Sequence, residues 1–220
     1  MMRTLSLLVL VLLAAAPVSA QPLQMLPADE VSADPTWMRF RMRLLEALEK
    51  RDQRYLMSVL DPRVRNTSGT PGAAEFAKVW DIKAVDSTLW AELRKVLFLG
   101  GVQVKRERST EFCAPYVYYK WPEGADPDVG AALIAREVLV KQAPAAGSPT
   151  LATASYHVVK VLDWEVEDVD KSSLQKWVRI ETAGGSGYVP DEQIRSPLEY
   201  RACFVKRGTT WRMTALEAGE

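Results

Sequence analysis

At Gly100-Gly101 the hydrophobic period of this chain changes, and that change constrains the fold more than any other feature. Before it, apolar residues recur at helical spacing; after it, short β-branched and aromatic runs alternate with turn formers. An all-helical protein and an all-β protein are both excluded. The expectation is an α+β chain with helices in front and strands behind.

In the front half, Asp34-Pro35 reads as an N-cap followed by proline at the first helical position. Trp37, Phe40, Leu44, Leu48, Tyr55 and Val59 then share one face, which predicts a single amphipathic helix ending near Leu60, before Pro62. Thr70-Pro71 repeats the start signal ahead of Phe76, Val79 and Trp80. A third helix begins near Ser87, buries Leu89, Leu93, Val96 and Leu97, and stops at the glycine pair. Strands are expected at Val102 to Lys105 and Phe112 to Trp121, followed by a turn-rich linker at Pro122 to Gly130.

Behind the linker the reading is all-β. Strands are expected at Ile134 to Val140, at Leu151, at Tyr156 to Leu162, at Trp177 to Thr182 and at Gly187 to Val189. The acidic stretch Val166 to Ser173 reads as an exposed connection. A last hairpin, Tyr200 to Lys206 and Trp211 to Leu216, turns at Arg207-Gly208-Thr209.

Several of these segments carry a resemblance. Val138-Leu139-Val140 is followed by Lys141, near a position where arginine is usual; Trp177-Val178 and Ile180 form a Trp-led strand; Gly184-Gly185-Ser186-Gly187-Tyr188-Val189 supplies a glycine turn and an aromatic strand. In this order and spacing they resemble a bacterial SH3 (SH3b) domain, over about the last third to two-fifths of the chain. With Ile194-Arg195-Ser196-Pro197 and Trp211-Arg212-Met213, the whole also resembles a type of proteobacterial exported protein with a helical front and an SH3-like rear. The resemblance implies a helical module at 35–130 and a small SH3-like β-barrel at 131–220, with the last hairpin as an addition to the barrel. It implies a domain that binds rather than catalyses.

The first twenty residues read as a secretory signal, with Arg3, an apolar run from Leu5 to Ala16, and the small-residue site Val18-Ser19-Ala20. The apolar run is short of the roughly 20 residues that span a bilayer, so no stable membrane insertion is expected after cleavage. Residues 21–34 read as a mobile leader. The expected location is a periplasm or the exterior. Basic and acidic residues number 28 each, and loss of Arg3 leaves the mature chain at −1. Such balance lacks the basic excess of a nucleic-acid binder.

Chemistry has few footholds. His157 is the lone histidine and Cys113 and Cys203 the only cysteines, so zinc-ligand spacings are missing. No catalytic residue, metal or cofactor is expected, and His157 reads as an exposed strand position. In an oxidising compartment the two cysteines form either a disulfide or a pair of small buried hydrophobes. Asp163, Glu165, Glu167, Asp168 and Asp170 read as a solvated acidic loop. Aromatic surface remains. Alternation turns Val178 and Val189 inward, leaving Trp177 and Tyr188 outward or at a rim with Trp164. These three are the candidate binding residues, for a cell-wall peptide or another envelope peptide. The competing expectation is that they cover the barrel end and that the chain is a structural subunit bound to an envelope protein.

Overall fold

The computed structural model describes residues 23–106 and 109–219; the expected signal at 1–20 and the first two leader residues lie outside the described residues. The fold is α+β, with short helices and two mostly antiparallel sheets.

The described part of the leader is docked rather than loose. Met25 N donates to Tyr156 O at 2.7 Å and Val158 N to Leu23 O at 2.8 Å, so the segment pairs with the chain around His157. Met25 is buried with Val102 and Tyr116, and burial of that side chain offsets the entropy of ordering the strand. Glu30 then reaches the first sheet, donating its N–H to Gly101 O and accepting from Gln103 N.

Asp34 caps helix α1 (Pro35–Glu49) as expected, accepting from Thr36 N at 2.7 Å. The single helix predicted to Leu60 is two. The chain turns at Lys50-Arg51, with Arg51 in the left-handed region (φ 50°), and Asp52 starts α2 (Gln53–Val59) by accepting from Tyr55 N at 2.9 Å. An aspartate inside a helical period is thus a second cap. Beyond α2 lies a strand that the periodicity does not show, β1 (Leu60–Asn66). Helices α3 (Ala73–Val79) and α4 (Leu89–Phe98) follow, and α4 buries Leu89, Trp90, Leu93, Val96 and Leu97. Gly100 has φ +70°, and a Cβ there would sit 2.8 Å from Ala28 O; only glycine allows α4 to end against the leader.

The first sheet has the order β1-β12-β11-β3-β2, with β2 (Val102–Lys105), β3 (Thr110–Ala114), β11 (Arg201–Arg207) and β12 (Thr210–Glu217). The last hairpin therefore completes the front half rather than extending the rear one: β11 pairs with β3 and β12 runs parallel to β1. The reason is burial on both faces. Ala202, Cys203, Phe204 and Val205 are all buried, and such a run has to sit inside a sheet with cover on either side. Trp37 of α1 packs on Phe112, Phe204 and Trp211, with ring centroids 4.2, 5.0 and 4.9 Å away. The helices and short strands expected in the front half thus form a helix layer on a sheet that the last hairpin completes. The strand expected to reach Trp121 stops at Ala114, and Tyr116–Tyr119 forms the short helix α5.

The second sheet has the order β10-β4-β7-β8-β9-β5-β6: β4 (Gly130–Leu133), β5 (Val138–Lys141), β6 (Thr150–Ala154), β7 (Val158–Glu167), β8 (Lys176–Thr182), β9 (Gly185–Pro190) and β10 (Ile194–Arg195). Of the strand expected over Ile134 to Val140, only Val138 to Val140 is strand; residues 134–137 form a bend, with Glu137 at φ 52°, between two separate pieces, β4 and β5. Those pieces pair with opposite flanks of the central three strands, β4 with β7 and β5 with β9. Four intervening residues span at most about 14 Å, so the sheet has to curl strongly. Its ladders do not close into a ring, and the curl encloses Leu133, Val138, Val140, Val178, Ile180 and Val189.

Candidate functional cleft

The three aromatic candidates do not form one rim. Trp177 is only 2% exposed. Its indole Nε1–H donates to Asp168 Oδ2 at 2.9 Å, and Asp168 is itself buried. Alternation assigned one face of β8 to solvent, but the connection carrying Asp168 covers that face, so both Trp177 and Val178 are buried. Tyr188 is half-buried, in register with Arg179 on one side and Lys141 on the other. It shares the Trp177 face of the sheet. Trp164 is 42% exposed and lines a cleft with Val178, on the opposite side.

The bulged end of β7 explains where Trp164 points. The register with β8 slips between Val161 and Asp163 and again between Asp163 and Val166, and Glu165 has φ 58°. Bulges of this kind bend a strand and re-aim a side chain. A non-glycine residue held in the left-handed region costs on the order of 1 kcal/mol or more, and such residues cluster at functional sites. The acidic composition of Asp163 to Asp170 concealed this: β7 runs on to Glu167, two residues into the expected exposed connection.

The cleft has a volume of about 620 Å³, inside the range of small-molecule and peptide side-chain pockets. One wall is the last turn of α4, with Arg94, Lys95 and Phe98, the last 65% exposed. The other is built from Trp164, from the 3-10 turn Asp191–Gln193, and from Ile194 and Arg195 of β10. Front and rear halves each contribute a wall. Sequence reasoning singled out Trp164 and missed the rest; Phe98, outside the apolar stripe of α4, was the signal available.

Charge in the cleft is mixed. Arg195 is 3% exposed. Its Nη1 lies 3.0 Å from Glu199 Oε2 and its Nη2 donates to Tyr200 O at 2.7 Å, while Nε has no hydrogen-bond partner among the described residues. Asp191 and Glu192 are tied together by Gln175, whose Nε2 donates to Asp191 Oδ1 at 3.0 Å and to Glu192 Oε2 at 2.7 Å. Partial burial, and a hydrogen bond shared with Glu192, push the Asp191 carboxyl above the usual aspartate range. The arrangement offers apolar shelves and fixed charges of both signs, as ligand pockets do.

The remaining candidates resolve as structure. Cys113 and Cys203 form a disulfide between directly opposite residues of β3 and β11, Cα to Cα 4.2 Å, buried beside Ala215. The bridge lies inside the front sheet and does not join the front half to the rear sheet. Glu111 stands with the two sulfurs in a metal-sized group, but the disulfide uses both of them. His157 is half-buried rather than exposed, its Nε2 3.3 Å from Gln24 Nε2. Within the acidic stretch, Glu167 pairs with Lys171 and Lys176, and Asp170 accepts from Ser172. Among the described residues no helix is long and apolar enough to cross a membrane. Comparison of the chain with protein-family models, with curated proteins and with solved structures yields no match.

Proposed function

We propose that this chain is an exported, non-catalytic binding protein, that its curled second sheet is an SH3-like unit, and that its ligand is a peptide, namely the peptide part of the cell wall. The observation that carries the reading is the cleft between α4 and the second sheet, where Trp164 and Phe98 stand exposed on facing walls. Exposed aromatics above a partly charged floor suit a short peptide, whose apolar side chains and polar backbone need both kinds of contact. The buried disulfide supports an oxidising compartment, in line with the signal-like start of the chain. The binding site moves, relative to the sequence expectation, from Trp164, Trp177 and Tyr188 to Trp164 with Phe98.

Sedimentation with purified peptidoglycan sacculi tests this. The full mature chain should co-sediment at high salt, and a Trp164→Ala, Phe98→Ala double variant should not. Equal sedimentation of a folded double variant would remove the cleft from the function. A second reading, a subunit that docks on an envelope protein, is favoured by Leu174 and Val169. They are 97% and 61% exposed in the connection after β7, away from the cleft. Periplasmic crosslinking through that connection, with no sacculus binding, would be its outcome.

A further inference from the structure

We infer that the cleft selects its ligand by a free carboxylate, which Arg195 receives with Arg94 as the second cation; this rests on the peptide reading above. Arg195 is a nearly fully buried guanidinium on the cleft wall, and its Nε–H has no acceptor among the described residues. A buried donor without a partner is uncommon and calls for an acceptor. Arg94, on the facing helix, is exposed and has no ion pair among the described residues. Arg94 differs in this from its neighbour Lys95, which is held by Glu92 at 3.1 Å.

The carboxylates of the cleft do not meet this demand. Asp191 and Glu192 are engaged by Gln175, and Glu199 takes the Nη1 of Arg195 and the N–H of Ser196. They do set a limit on the ligand. With Glu165, Asp191, Glu192 and Glu199 lining the same space, a dianion such as a phosphate monoester meets about twice the repulsion that a single carboxylate on a peptide does. A planar carboxylate also matches guanidinium geometry. The Nε atom is shielded from solvent in this state, so the ligand has to open a path to it. Trp164 and Phe98 are the large exposed apolar side chains lining the cleft. The helix wall thereby acquires a role: the front half supplies one of the two cations, and the rear sheet alone is an incomplete site.

The experiment is calorimetric titration of the mature protein with soluble stem peptides released from sacculi by amidase. They are used native and after carbodiimide coupling to ammonia, which turns carboxylates into carboxamides. Native peptides should bind and amidated ones bind roughly ten- to a hundredfold more weakly, the loss of one charge-assisted contact. Arg195→Lys keeps the charge and removes the Nε donor. It should bind native and amidated peptides with nearly equal, weak affinity; should it misfold, Arg94→Gln, on the exposed helix wall, should narrow the same difference. Native and amidated peptides bound equally by the unaltered protein would overturn the carboxylate inference and leave the peptide reading standing. Binding of neither would overturn both.

Discussion

The indole of Trp177 is held by the carboxylate of Asp168, both buried, at 2.9 Å. The two residues lie at the end of the β7–β8 hairpin, and Asp168 Oδ1 also accepts from Asp170 N, which closes the connection over the sheet. Replacing Asp168 with alanine leaves a buried donor unpaired and should cost about 1–3 kcal/mol. Trp177→Ala, which removes a large buried ring, should cost about 3–5 kcal/mol. Urea unfolding of both variants and the double variant checks this. Because the two groups share one bond, the double variant should lose less than the sum of the single losses.

The aromatic residues should separate by function. Trp164→Ala and Phe98→Ala should abolish sacculus binding while shifting the unfolding midpoint little, since both side chains are largely exposed. Tyr188→Ala should leave binding intact, because its register with Arg179 puts it on the face away from the cleft. Co-sedimentation of the three variants, each with a thermal melt, tests the assignment.

Loss of the Cys113–Cys203 bridge should weaken the front sheet. The cysteines are 90 residues apart in sequence, so the bridge closes a long loop in the unfolded chain. Its removal should cost about 2–4 kcal/mol. A Cys113→Ala, Cys203→Ala variant, compared with the unreduced parent in urea, gives the number. An unchanged midpoint would show that the strand pairing of β3 with β11 needs no covalent support.

Asp34 predicts a pH dependence. The hydroxyl of Thr36, and then the ammonium of Lys206, hold its carboxyl down at about 2, against partial burial, which acts the other way; the ordinary value is 3.8. A depressed folded pKa means that the charged cap stabilises above about pH 3.8 and that this contribution is lost as pH falls through about 2. Asp34→Ala should therefore cost about 1 kcal/mol near pH 7, and the gap from the parent should shrink between pH 4 and pH 2. Urea midpoints of the two proteins across that interval test the sign; a gap that widens on acidification would be inconsistent with the capping role.

Local chemistry was legible where one residue decides it. Asp34-Pro35 started a helix, Gly100-Gly101 ended one, and the turn at Arg207-Gly208-Thr209 joined two strands, because caps and turns depend on a few neighbouring atoms. The α+β class followed from the change of period at the same glycines. Asp52 was equally legible as a cap and went unread because the apolar stripe runs on through it. The order of strands was not legible, since alternation assigns faces without naming partners. Nothing local in Arg201 to Arg207 says that β11 lies beside β3, 90 residues earlier in the pairing of the two cysteines. Long-range burial decided that, and it also decided that Trp177 is covered while Trp164 is not. The cleft required the most tertiary information. It joins α4 to the end of β7 and to β10, elements brought together only when both sheets have formed, and the unpaired Nε of Arg195 is a property of that assembled surface rather than of any segment.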